Sequence, residues 1–320
     1  MLADSFAFSH PRLESHKMLP TLYYCDHHEI PLPPGHRFPI RKYAIVRDLL
    51  QRSGLFHLEE APFAAQSKIE LAHDPEYVAQ FFAGTLSSDS MRRIGFPWSE
   101  GLVRRTLASV GGTLAATQHA LQNGWGGTIA GGTHHAFRAA GSGYCVFNDL
   151  AIAILDLRAS EHTQRAAIID LDVHQGDGTA DVFQGDHQVL TTSVHCRANF
   201  PFRKQQSSID IELPEGTEDA EYLDALDRLL PQVIAFDPQI IFYQSGVDGL
   251  RTDTLGKFAL TEEGLRERDR RVISLCAAHK VPLVITLGGG YSQPAELTAR
   301  AHANTYFTAA EVFSEKLAGR

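Results

Sequence analysis

Short apolar runs alternate with helical spacings along almost the whole chain. Leu22, Tyr23, Tyr24 and Cys25 predict a first strand, and 37–52 a first helix. Leu102, Val103, Leu107, Val110, Leu114 and Leu121 recur three or four residues apart and predict an amphipathic helix over 100–122. A strand at 127–131 and a helix at 149–157 follow, then strands at 166–172 and 188–194. Tyr222, Leu226, Leu229, Leu230 and Val233 mark another helix. The remainder reads as a strand at 239–244, a helix at 262–279, a strand at 282–287 and a closing helix, whole or broken, over 295–317. Strand and helix in alternation predict an α/β fold, a single-domain parallel sheet covered by helices on both faces. That domain is expected over 18–320. Residues 1–17, polar and carrying Ser5, His10, Pro11 and Ser15, read as a loose arm.

The polar residues that interrupt this pattern gather just beyond the carboxyl ends of the strands, where open parallel sheets bind ligands. Asp170, Asp172 and His174 follow the run Ala166-Ala167-Ile168-Ile169 at two-residue spacing, which in extended chain puts them on one side. Carboxylate and imidazole at that spacing suit a divalent metal of the zinc type. His134 and His135 follow 127–131, His195 follows 188–194, Asp248 follows 239–244 and Tyr291 follows 282–287. Asp172, His174 and Asp248 make a three-ligand set that leaves a fourth position open, as in a catalytic site. His134 and His135 then become acid–base candidates, with Asp170 and Asp177 as the carboxylates available to fix their tautomers. Tyr291, after three glycines, is placed to meet a developing oxyanion. Each feature has a plainer reading alone: a surface loop, a turn, a glycine-rich bend, a core aromatic. Their convergence on one crevice favours metal-assisted hydrolysis.

Bulk properties narrow this further. A net charge of -9 over 320 residues argues against a protein that coats nucleic acid. Four dispersed cysteines, Cys25, Cys145, Cys196 and Cys276, lack any Cys-x-x-Cys pair and read as free thiols of a reducing, cytoplasmic compartment. No window approaches a membrane span, and 1–17 lacks the apolar centre of a signal peptide.

Taken in order, Gly132-Thr133-His134-His135, Gly143-Tyr144-Cys145 with Asn148-Asp149, Asp170-Leu171-Asp172-Val173-His174-Gln175-Gly176-Asp177-Gly178, Ser193-Val194-His195, Gly246-Val247-Asp248 and Gly288-Gly289-Gly290-Tyr291 resemble the zinc-dependent histone deacetylase superfamily, on the arginase–deacetylase fold. The stretches 215–223 and 253–261, with Arg268-Asp269, look most like its class IV branch and bacterial relatives. The resemblance implies a zinc, with iron(II) as the alternative, on Asp172, His174 and Asp248. It implies His135, oriented by Asp177, as general base and His134, backed by Asp170, as electrostatic or acid partner. Tyr291 would hydrogen-bond the carbonyl oxygen of the substrate, and Gly143, Tyr144, Phe200, Phe202 and Leu255 would line the substrate channel. A structural potassium ion would sit among Asp170, Asp172, His174, Ser193 and Val194, and Phe183 and Val189 match a second such site. The substrate class implied is an acylated lysine, acetyl or longer, in a protein or peptide. A small acylated amine such as an acetylpolyamine is the second enzyme reading, and a non-catalytic acyl-lysine binding module a third, which the retained Asp177, His135 and Tyr291 oppose. Neither nucleic acid nor membrane is an expected partner, and the oligomeric state is left open.

Two departures carry meaning. Class I members place an acid that grips the substrate backbone shortly before a Pro-x-x-Glu-Gly segment; here Gly95 precedes Pro97-Trp98-Ser99-Glu100-Gly101. Arginases bind two metals through an Asp-x-Asp pair, whereas Asp248 is followed by Gly249-Leu250, which argues against a ureohydrolase.

Overall fold

In a computed structural model that describes residues 19–318, eight strands form one sheet in which every neighbouring pair is parallel. In chain order they are β1 (Thr21–Tyr24), β2 (His57–Glu60), β3 (Trp125–Thr128), β4 (Ala166–Asp170), β5 (Val189–Cys196), β6 (Ile209–Leu213), β7 (Ile240–Gln244) and β8 (Leu283–Thr286). Their order across the sheet is β2-β1-β3-β8-β7-β4-β5-β6. The helices are α1 (Lys42–Ser53), α2 (Gln66–Ile69), α3 (Pro75–Ala83), α4 (Ser88–Ile94), α5 (Glu100–Asn123), α6 (Asp149–Ala159), α7 (Asp177–Val182), α8 (Asp219–Ala235), α9 (Glu262–His279) and α10 (Ala295–Ala318).

The central strands are apolar on both sides because both faces are covered. Alternate residues supply two cores. Ile169, Ile241, Tyr243 and Ile285 pack with Val46, Leu229 and Val272 of α1, α8 and α9. Ile168, Phe242 and Val284 pack on the other face with Phe81, Val110 and Ile152 of α3, α5 and α6. Local signals set the helix ends. The Ser99 side chain accepts from Leu102 N at 3.0 Å to start α5, and Asp74 does the same for Glu76 N at 2.8 Å ahead of Pro75 in α3.

The parallel sheet and its helical layers agree with the α/β expectation. Several boundaries move. The first helix begins at Lys42 rather than 37, since the stretch through Pro39 is not helical and Lys42 N bonds the Pro39 carbonyl. The strand expected at 127–131 is Trp125–Thr128, after which the chain turns through Gly131 and Gly132. The strand expected at 166–172 stops at Asp170, where Asp170 Oδ1 takes the Asp172 amide at 3.1 Å. The strand at 188–194 continues to Cys196, so His195 lies inside β5, fully buried, with Nδ1 3.0 Å from Ser193 Oγ. It is therefore not one of the residues at the strand ends. The closing helix is unbroken over 295–318. The expected arm at 1–17 lies outside the described residues. Among those residues no helix is long and apolar enough to cross a membrane.

Candidate metal and catalytic centre

Four adjacent central strands, β3, β8, β7 and β4, deliver the candidate residues to one end of the sheet. Past β4, Asp172 and His174 meet Asp248, which arrives from beyond β7. One ligand atom from each lies within 4.8 Å of the other two. His174 Nδ1 stands 3.0 Å from Asp172 Oδ1 and 3.0 Å from Asp248 Oδ2. Asp172 and Asp248 are buried to 1% and 0% exposure, so two carboxylates are held together away from water. Burial and the neighbouring Asp172 raise the Asp248 pKa to about 7. Burial opposes charge on His174, but its bonds to Asp172 and Asp248 outweigh that and push its pKa up to about 10. A divalent cation would relieve this crowding, since ligand atoms about 2.0–2.2 Å from a tetrahedral ion stand roughly as far apart as these do. The donor set therefore fits zinc.

His134 and His135 enter from the turn after β3. Two residues outside the expected set hold that turn. Asp149 accepts from Gly132 N at 3.0 Å and Thr133 N at 2.7 Å, and Gln244 Nε2 donates to Gly132 O at 2.8 Å. Asn148 caps α6 through Ala151 N at 3.0 Å, leaving Asp149 free for this task. His134 Nδ1 then pairs with Asp170 Oδ2 at 2.7 Å, and His135 Nδ1 with Asp177 Oδ1 at 2.6 Å. Their surroundings push the two imidazoles in opposite directions. Burial disfavours the cation on His134, yet Asp170 and Asp172 overcome it and raise its pKa to about 9. Burial and the adjacent positive His134 lower His135 to about 4, leaving it a neutral base.

Tyr291 is partly buried beyond β8, and its backbone is tied down twice. Its N–H donates to Asp253 Oδ2 at 2.6 Å, and its carbonyl accepts from Thr254 Oγ1 at 2.9 Å. Asp253 Oδ1 also takes the amides of Leu255 and Gly256 at 2.8 and 2.9 Å. Lys42, with no exposed surface, donates to the carbonyls of Gly288 and Gly290 at 3.0 and 3.4 Å from behind this loop. Burial lowers its pKa to about 8. Burial, then Asp248 and Asp172, hold the Tyr291 phenol well above its usual pKa, so it remains a proton donor.

The expected channel residues surround this centre unevenly. Gly143 lies against His135: a Cβ there would come within 2.7 Å of His135 Cδ2, so only glycine fits. Tyr144 holds a left-handed backbone, φ 66°, and its ring packs 6.2 Å from that of Tyr291 and 5.3 Å from that of Phe96. The Phe200 ring meets His135 edge-on at 5.0 Å. Leu255 is partly buried, and its carbonyl accepts from Asn199 Nδ2 at 2.7 Å. Phe202 is 90% exposed, with its ring perpendicular to Phe200 at 6.4 Å. It stands on the surface, with the buried Pro201 between it and Phe200. Of the expected potassium residues, Ser193 sits opposite Asp170 in the β4–β5 ladder, and Val194 follows it, fully buried. Phe183 ends α7 and Val189 begins β5, both buried.

Lys42, Asp149, Gln244 and Asp253 escaped sequence reasoning. Asp149 and Asp253 appeared there only inside stretches that carry the resemblance, with no role attached. The partners of Lys42, Asp149 and Gln244 lie far along the chain, as does Tyr291, the one distant partner of Asp253.

Against known proteins, the histone deacetylase domain model matches residues 36–307. An uncharacterised protein of Picosynechococcus sp. is 45% identical over 278 residues, 86% of this chain and 92% of that one. A probable deacetylase of Archaeoglobus fulgidus is 31% identical over 290 residues, 84% of this chain and 79% of its own. Among solved structures, the acetylpolyamine aminohydrolase of Burkholderia pseudomallei superposes with a TM-score of 0.78, covering 92% of this chain and 99% of that one. At 20% identity that likeness is one of fold. The domain match and these relatives place the chain in the histone deacetylase family, as a hydrolase of amide bonds.

Proposed function

We propose that this enzyme removes an acyl group from an N-acyl lysine side chain, using a zinc held by Asp172, His174 and Asp248. The observation that carries this reading is the pairing of two adjacent histidines, each bonded through Nδ1 to its own carboxylate, beside a buried three-ligand set. A bound zinc would polarise the acyl carbonyl and bring water ionisation towards neutral pH. His135, neutral and oriented by Asp177, takes a proton from the attacking water. His134, held cationic by Asp170, stabilises negative charge and supplies the proton the departing amine needs. Tyr291 keeps its proton and donates a hydrogen bond to the carbonyl oxygen as charge develops there. Gly143, Tyr144, Phe200 and Leu255 form the channel wall for the alkyl chain, and Phe202 its rim. A potassium ion among Asp170, Asp172, His174, Ser193 and Val194 would stiffen the β4–β5 end of the site. Iron(II) is the alternative catalytic metal, which metal analysis of the purified enzyme decides. Four buried free cysteines suit a reducing, cytoplasmic setting.

Behind Tyr144 lies a small cavity of about 60 Å³, lined by Phe38, Phe96, Val146, Phe147 and Thr133, the last adjoining His134. An acylated polyamine remains the second substrate reading. Comparison of kcat/KM for an acetyl-lysine peptide, a long-acyl peptide and an acetylpolyamine separates the three, and background rates on all of them with zinc loaded would refute the deacylase reading. Tyr291→Phe is expected to lower kcat by about 10²–10³, the cost of one oxyanion donor, with zinc content unchanged. Unaltered turnover would remove Tyr291 from the reaction.

A further inference from the structure

The ligand-bearing loops beyond β4 and β7 share a support on the side away from the channel. Arg268 of α9 is fully buried. Its Nη1 donates to the carbonyl of Gly246 and, at 3.4 Å, to the carbonyl of Leu171. Leu171 lies between Asp170 and Asp172, and Gly246 lies two residues before Asp248. One guanidinium nitrogen thus ties together the backbones that present two of the three ligands. The opposite edge of the guanidinium is anchored: Nε and Nη2 donate to Asp269 Oδ1 at 3.0 and 2.8 Å. Asp269 is itself fixed by the Tyr243 hydroxyl from β7 and by Thr305 Oγ1 from α10 at 2.7 Å. The Tyr222 hydroxyl of α8 adds a longer bond, 3.5 Å, to the same Leu171 carbonyl. A buried ion pair of this kind gives little net stability, because desolvation offsets most of the attraction. Its planar, preorganised fork is suited instead to holding two carbonyls at a fixed separation, which an ammonium does poorly.

We propose that Arg268 is a positioning residue that sets the spacing of Asp172 and Asp248 and thereby the affinity of the site for its metal. This rests on the metal-dependent reading above, and its test does not depend on turnover. The zinc dissociation constant of the full chain is measured by chelator competition, with thermal unfolding of the metal-free chain confirming that each variant is folded. Arg268→Gln is expected to weaken zinc binding about ten- to hundred-fold, the usual cost of losing an outer support of a metal ligand, with Arg268→Lys restoring part of the loss. Tyr306→Phe serves as comparison. It loses a buried hydrogen bond to Thr128 O on β3, which β8 separates from β7 and β4, and should lower the melting temperature while leaving zinc affinity at the wild-type value. Should Arg268→Gln fail to fold, the charge-balanced pair Arg268→Met with Asp269→Asn removes the support and its counter-charge together. Wild-type zinc affinity in any folded Arg268 variant overturns the proposal, as does loss of affinity in Tyr306→Phe equal to that in Arg268→Gln. If the wild-type chain binds zinc and Arg268→Gln weakens it, yet no acyl amine is hydrolysed, the substrate reading fails and the positioning role stands.

Discussion

Gly95 explains why the acid of the class I pattern is absent. It closes α4 in a left-handed conformation, φ 87°, and a Cβ there would fall 2.9 Å from the Tyr144 ring. The space a side chain at this position would need is filled by the Tyr144 ring. Gly95→Ala is expected to cost about 1–2 kcal/mol from the backbone alone, with more if Tyr144 is displaced. Urea unfolding measures this, and a loss no larger than the backbone cost would mean the ring contact is slack. The site's visibility in the sequence follows the same local logic. Asp172 and His174 stood out because two-residue spacing after an apolar run is itself a signal. Asp149 and Gln244 carried none, since each acts on a backbone group more than ten residues away. The opposite pKa shifts of His134 and His135 were equally invisible, being set by burial, by the carboxylates near His134 and by its charge on His135.

At the scale of elements, Asp253 makes the turn at 253–256 a buttress for the loop that carries Tyr291. It takes three backbone amides, one of them from Tyr291 itself. Asp253→Ala should free that loop and lower kcat by about tenfold or more, with KM and zinc content little changed, since misplacement of a catalytic group by about 1 Å is costly. Steady-state kinetics with metal analysis tests this, and a kcat equal to wild type would show that the Gly288–Gly290 backbone alone holds the tyrosine. Elements followed the sequence pattern where burial on both faces made them apolar, as in β4, β7 and β8. The polar edge strands β2, His-Leu-Glu-Glu, and β6, Ile-Asp-Ile-Glu-Leu, were not foreseen. β2 shows no alternation and the alternation of β6 spans only five residues, while short helices such as α2 and α4 hold too few turns for a period to emerge.

For the whole molecule, pH acts through His73, which joins the start of α3 to that of α6. It is 1% exposed, and its Nε2 accepts the Asn148 amide at 2.8 Å, so that nitrogen must be unprotonated. Burial lowers its pKa from 6.5 to about 4. A folded pKa below the unfolded value means that the unfolded chain takes up the proton first as pH falls. This contribution to stability is therefore complete above about pH 6.5 and is lost as pH falls towards 4, to a limit on the order of 3 kcal/mol. Melting temperatures of wild type and His73→Gln across that window should converge at the acid end, and parallel curves would exclude His73 as the cause. The sheet order has its own consequence. The four strands that carry the site lie side by side, flanked by β1 and β2 on one side and by β5 and β6 on the other. Opening from either edge must pass a neighbouring strand before it reaches a ligand loop. Backbone amides of β8, β7 and β4 should therefore exchange with deuterium last, by global unfolding, while β2 and β6 exchange through local fraying. The enzyme would then lose its edges briefly and often while the loops that carry Asp172, His174 and Asp248 stay in place.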